Sequence, residues 1–167
     1  MCAKQLFLIR HAKSSWKYAG LKDHDRPLNN RGLRDAPFMA KKVLEKKLYP
    51  NLILTSSAVR AKNTALIFME ILNINSSQLK IEAKLYEASY NEILGVIKNV
   101  GENINSLFVF GHNPGLTSLH NFLCDSYIVN IPTCGITQYG FSGGWNELSA
   151  NSCDLLEFDY PKKYFNT

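Results

Sequence analysis

Two histidines and two arginines stand directly after apolar runs in this chain. Arg10-His11 follows Leu6-Phe-Leu-Ile9. Thr55-Ser-Ser57, with Arg60, follows Leu52-Ile-Leu54, and Gly111-His112-Asn113 follows Ser106-Leu-Phe-Val-Phe110. Each short run reads as a buried strand. In open α/β sheets, ligands bind outside the carboxyl ends of the strands. If the three strands are parallel, both histidines and both arginines converge at one sheet edge. Two of the groups also open helices, where free N–H groups and the helix dipole favour anions. Such a site suits a phosphate.

The chemistry narrows by elimination. There is no GxxxxGK[ST] loop for nucleotide phosphates. No cysteine is followed five residues later by arginine, so a cysteine-dependent phosphatase is not indicated. No carboxylate cluster has the spacing for two-metal hydrolysis, and no metal or cofactor is expected. Histidine remains as the nucleophile: a neutral imidazole nitrogen can attack phosphorus and form a phospho-enzyme. Without a metal, arginines and the second histidine must meet the charge on the phosphoryl oxygens.

The elements between the runs are helical. Ala36, Ala40, Val43 and Leu44 recur at helical spacing over about residues 31–48. Ser57 is a fair N-cap for a helix carrying Ala58, Ala61, Ala65, Phe68 and Leu72 on one stripe. Asn113 as N-cap and Pro114 at the first position open a third helix, with Leu116, Leu119 and Leu123 as its stripe. The runs 136–141 and 154–160 read as two late strands, joined by Ser142-Gly-Gly-Trp145. Strands alternating with helices argue for an α/β sandwich with a largely parallel sheet, and the late pair argues for an antiparallel edge. No linker or repeat divides the 167 residues, so one domain over 1–167 is expected.

Composition excludes other classes. At 46% hydrophobic and 20% charged residues, the chain is globular. Its net charge of +5 fits an anionic substrate or a weak nucleic-acid binder. The basic residues are spread along the chain without interleaved aromatic platforms, against nucleic-acid binding. The four cysteines Cys2, Cys124, Cys134 and Cys153 form no CxxC pair and no zinc spacing, and are expected as free thiols. No apolar run has signal-peptide or membrane-spanning length, so a soluble, cytoplasmic protein is expected.

The motifs resemble a known family. Leu8-Ile-Arg-His-Ala-Lys-Ser-Ser-Trp16 resembles the Arg-His-Gly signature of the histidine phosphatase superfamily, with Ala12 in place of the usual glycine. Ser56-Ser-Ala-Val-Arg-Ala-Lys-Asn-Thr-Ala65 resembles its Ser-Ser-x-x-x-Arg-x-x-x-Thr-Ala segment, and Phe110-Gly-His-Asn-Pro-Gly115 its second histidine motif. Asp25-Arg-Pro-Leu-Asn-Asn-Arg-Gly32 and Leu85-Tyr-Glu-Ala88 fit as well. Together they point to the short SixA-type phosphohistidine phosphatase branch. The resemblance implies a three-layer α/β/α sandwich around a mixed sheet, and no cofactor. It places the nucleophile on His11. Arg10 and Arg60 fall on phosphate-binding arginines and His112 on the second pocket histidine. Arg26, Ser14 and Asn113 count as further phosphate contacts. Glu87 falls where larger members carry the general acid. The partner implied is a phosphorylated substrate such as a phosphohistidine-bearing protein. A phosphatase for a small phosphorylated metabolite or phosphoserine, and a non-catalytic phosphate-binding module, are the alternatives.

Overall fold

Alternate side chains of the first strand (β1, Lys4–Arg10) point to opposite faces of the sheet and seed two cores. Leu6 and Leu8 enter one, Phe7 and Ile9 the other. The computed structural model describes residues 3–165 of the 167, so Cys2 lies outside the described residues. The other strands are β2 (Leu52–Thr55), β3 (Leu79–Ile81), β4 (Ser106–Gly111), β5 (Ile136–Phe141) and β6 (Asp154–Asp159). They form one sheet in the order β3-β2-β4-β1-β5-β6. The first four are parallel. β5 runs antiparallel to β1, and β6 antiparallel to β5. The expected antiparallel edge is present, but its connection runs from 142 to 153 and includes the fully buried Trp145.

Helices α1 (Asn30–Glu45) and α2 (Val59–Leu72) cover the face carrying Phe7, Ile9, Ile53, Phe108 and Phe110. Helices α3 (Tyr90–Lys98) and α4 (Gly115–Leu123) cover the face carrying Leu6, Leu8, Leu107 and Val109. The result is the expected three-layer α/β/α sandwich. The stripes Ala58-Ala61-Ala65-Phe68-Leu72 and Leu116-Leu119-Leu123 are buried throughout. In α1 the buried positions are Ala36, Met39, Ala40 and Val43, while Leu44 is exposed. The helix ends at Glu45, one turn before the expected end.

Helix starts differ from expectation for identifiable reasons. α2 begins at Val59, and Ser56 rather than Ser57 receives a backbone N–H, that of Ala58. α4 begins at Gly115. Asn113 does not cap it, because its side chain accepts from the Thr117 hydroxyl and donates to Asn130 and Ile131. β3 and α3 lie outside the sequence expectations. β3 has only three residues. α3 starts at a capping box, in which Ser89 accepts from the Glu92 N–H and Glu92 accepts from that of Ser89. His120 is wholly buried between the Tyr139 hydroxyl and the Ser126 carbonyl. Cys124, Cys134 and Cys153 are free and buried.

The loop after β1 is fixed by the helices around it. The Ala12 N–H donates to the Thr64 hydroxyl of α2, and Asn29 N–H donates to the Lys13 carbonyl. Gly32, in the first turn of α1, sits so close that a Cβ there would lie 2.2 Å from the Lys13 carbonyl oxygen. The Cβ position is fixed by the Gly32 backbone and the oxygen belongs to the Lys13 backbone, so neither can swing away. Gly32→Ala should therefore destabilise the protein by about 1–3 kcal/mol and lower its thermal midpoint by several degrees. A midpoint equal to wild type would show that α1 can retreat from the loop freely.

Candidate functional site

The pairing of β1 with β4 places Arg10 opposite Gly111. Just beyond, the His11 N–H donates to the Gly111 carbonyl and the Ser56 N–H to that of Phe110. Three parallel strands thus end at one level. The expected convergence occurs: the His11 and His112 rings lie 5.1 Å apart, centroid to centroid. Both histidines are 8% exposed, and Arg60, in the first turn of α2, is 6% exposed.

The hydrogen bonds determine which nitrogen of His11 can react. Nδ1 lies 2.7 Å from the Ala12 carbonyl, which can only accept, so the proton is on Nδ1. Nε2 then carries the lone pair, and Arg60 Nε–H donates to it at 3.3 Å. Burial, with the charges of His112, Arg60 and Arg10, pushes the His11 pKa down to about 3, against the pull of the Ala12 carbonyl. His112 is pushed down to about 4 by burial and then by Arg60. Both rings are therefore neutral at pH 7. His112 Nε2 lies 2.8 Å from the Ser56 hydroxyl, and its Nδ1 is buried with no partner among the described residues. The Ser56 hydroxyl accepts from the Ala58 N–H, so its own proton is available to His112 Nε2; in that tautomer the unpartnered Nδ1 is an N–H donor.

The arginines are held from behind. Arg10 donates through Nη1 to the Ile131 carbonyl, and its Nε is buried without a partner among the described residues. Arg60 is gripped by Asp23: Nη1 donates to the Asp23 carbonyl at 2.7 Å and Nη2 to its carboxylate at 3.0 Å. The same carboxylate receives Arg26 Nε at 3.0 Å and the Tyr86 hydroxyl at 2.9 Å. Burial would raise the Asp23 pKa, but the Tyr86 and Arg60 hydrogen bonds and the Arg60 charge hold it at about 2. Arg26 further donates to the Ser14 hydroxyl and the Ser15 carbonyl, and stacks against Trp16 with its guanidinium carbon 3.5 Å from the ring centroid.

The expected residues therefore divide into groups. His11, His112 and Arg60 are buried side by side, and half-buried Arg10 is near enough for its charge to lower the pKa of both rings. Arg26 and Ser14 form a layer beside them, tied to each other and to Asp23. Asn113 spends its side chain on the loop at Asn130 and Ile131. Glu87 is exposed, in a left-handed conformation (φ 53°), and makes no hydrogen bond to the four pocket residues. Asp23, Tyr86 and Ser56 are the members not singled out as site residues from sequence. A signal for Asp23 existed: it precedes Arg26 by three residues, a spacing at which the two can pair. Among the described residues, no group of three or more His, Cys, Asp and Glu side chains is arranged to hold a metal ion. No helix among them is long and apolar enough to cross a membrane.

Two histidines held neutral by burial make stability depend on pH. Their folded values lie below the ordinary 6.5, so the unfolded chain takes up protons first. Stability is lost as pH falls from about 6.5 towards the folded values near 3 and 4. His11→Gln removes one of these groups. Its thermal midpoint relative to wild type should rise as the pH is lowered from about 7 to about 4. A gap that stays constant would mean that His11 is not held neutral by its surroundings.

A family model for the histidine phosphatase superfamily (branch 1) matches residues 6–112. An uncharacterized protein of Mycobacterium tuberculosis is 29% identical over 164 residues, covering 92% of this chain and 100% of that one. An uncharacterized chloroplastic protein of Arabidopsis thaliana is 30% identical over 159 residues, covering 90% of this chain and 72% of that one. The structure of SixA from Agrobacterium tumefaciens matches with a TM-score of 0.81 at 24% identity, over 95% of this chain and 98% of that one. A protein histidine phosphatase SixA complexed with tungstate matches with a TM-score of 0.82 at 21% identity, over 95% and 98%. These structures share the fold. The family match covers more than half of the chain, begins in β1 and ends on His112, and on it the chain belongs to branch 1 of the histidine phosphatase superfamily.

Proposed function

We propose that this protein is a metal-independent phosphatase that works through a phosphoryl group on His11 Nε2, and that it removes phosphate from a protein phosphohistidine. The observation that carries the reading is the state of His11: a buried neutral ring, its proton held on Nδ1 by Ala12, its Nε2 lone pair facing Arg60. A phosphoryl group arriving there brings the charge that the unpartnered Arg10 Nε and His112 Nδ1 lack. The fold shared with SixA supports the choice of substrate class.

In this reading His11 Nε2 attacks phosphorus. The other nitrogen of the substrate ring carries a proton from solvent, the bond from phosphorus to the ring breaks, and the leaving nitrogen keeps the electron pair, so the ring departs as neutral imidazole. Imidazole has a pKa near neutrality, so it departs with little help from an acid. Glu87, exposed and next in sequence to Tyr86, is assigned as the acid for poorer leaving groups. Arg10, Arg60 and His112 hold the phosphoryl oxygens through the transition state. Nδ1–H stays on the Ala12 carbonyl and supports the positive charge of the phosphoimidazole. Water then attacks phosphorus, the P–Nε2 bond breaks, phosphate leaves, and the surplus proton goes to solvent. Asp23 positions Arg60 and supplies a negative charge between Arg60 and Arg26.

Wild-type protein should release phosphate from p-nitrophenyl phosphate in the presence of EDTA, and acid-labile, base-stable label should appear on the protein after rapid quenching. His11→Ala should lower turnover by about 10³-fold or more; undiminished turnover would sink the mechanism. Asp23→Asn keeps the shape but frees the Arg60 fork, and should slow turnover by about tenfold or more. Wild-type rates in that variant would show that Asp23 does not position Arg60.

A further inference from the structure

The face of the sheet covered by α3 and α4 is not covered to its edge. Beside α3, over β2 and β3, lies an open groove of about 920 Å³. Leu52, Leu54, Val96 and Val100 give it an apolar side, and Lys80 and Glu92 are among the charged groups along it. Glu92, Gly95, Val96 and Asn99 follow one another on a single flank of α3, as spacings of three, four and seven residues require. One end of the groove is Tyr86. The same Tyr86 bonds Asp23 through its hydroxyl and stands edge-on to His112 at 5.7 Å between ring centroids. Tyr86 therefore stands between the groove and His112, so the groove ends beside the two histidines.

We propose that this groove is a substrate subsite that takes the polypeptide segment adjoining the phosphorylated residue. The proposal rests on the phosphatase reading above and adds what lies beyond the phosphoryl group. Three features favour a polypeptide over a small metabolite. The run from Glu92 to Asn99 is about 10 Å long at the rise of an α-helix, which matches roughly three residues of extended chain. Its lining mixes apolar side chains with charges of both signs, the mixture that a peptide presents. Among the described residues β3 is the last strand of the sheet and pairs only with β2, so its outer edge offers unpaired backbone groups that an extended chain can match.

Gly95 supplies the means to test this. It lies within α3, where glycine is unfavourable, and a Cβ built on it meets nothing within 4 Å. A larger residue there projects into the groove and favours the helix, so loss of function cannot be blamed on unfolding. The probes are a short peptide carrying one phosphohistidine, free phosphohistidine and p-nitrophenyl phosphate. Wild type should show kcat/KM at least about tenfold higher for the peptide than for free phosphohistidine. Gly95→Trp should abolish that advantage and leave both small substrates unaffected, while Gly95→Ala keeps it. Equal rates for peptide and free phosphohistidine in wild type, or an advantage that survives Gly95→Trp, would overturn the groove. Failure of wild type to hydrolyse any of the three would instead overturn the phosphatase reading on which the groove depends.

Discussion

The hydrogen-bond ladder between β1 and β4 sets the geometry on which the site depends. Its register puts Arg10 opposite Gly111, so the next residue on each strand is a histidine, and the two rings cannot be other than neighbours. The same ladder carries them to the buried edge of the sheet, under α2. Burial then controls reactivity. An imidazole withdrawn from water beside Arg60 and Arg10 is more stable neutral than charged, and a neutral ring has the lone pair that a nucleophile needs. Because the charged form is disfavoured, the arrangement that makes His11 reactive also weakens the fold in acid.

Charge is the second constraint. Arg10 and Arg60 lie close enough to repel one another, and Arg26 adds a third positive charge in the layer beside them. Asp23 answers this from a short helical turn outside the sheet, bonding Arg26 and Arg60 at once and receiving the Tyr86 hydroxyl. It also relieves the placement of Arg60 in the first turn of a helix, where a cation is unfavourable. The overall charge looks different in this light. Setting Arg10, Arg26 and Arg60 apart from the 19 basic residues leaves 16 against 14 acidic ones, so the surface beyond the pocket is nearly balanced.

Much of the architecture was legible because it rests on local pattern. The continuous apolar run of Leu6 to Ile9, read as a buried strand, and the alanine-rich stripe of α2 follow from side-chain geometry that any reader of the chain can apply. Helix ends were less legible, since Ser56 and Ser57 are chemically alike. Only the position of the backbone decides that one receives an N–H from α2 while the other meets His24. β3 and α3 escaped for a related reason. Three residues are too few to show a period, and α3 has just one short apolar stripe.

Residue order alone dictated that histidines and arginines would follow strands, because strand, turn and helix are written in neighbouring residues. That order placed His11, Arg60 and His112 at one edge once the strands were taken as parallel. Tertiary packing decided what each of them does. Which nitrogen of His11 is free depends on the Ala12 carbonyl and on Arg60, 49 residues away in sequence. That Asp23 holds Arg60, that Arg26 is tied to Ser14, and that Asn113 is taken up by the 130–131 loop are likewise contacts across the chain. Such contacts form only when distant segments meet, and no local pattern records them. Hydrogen bonds and burial at the meeting point, rather than residue type, separate a nucleophile from a ring that merely fills space.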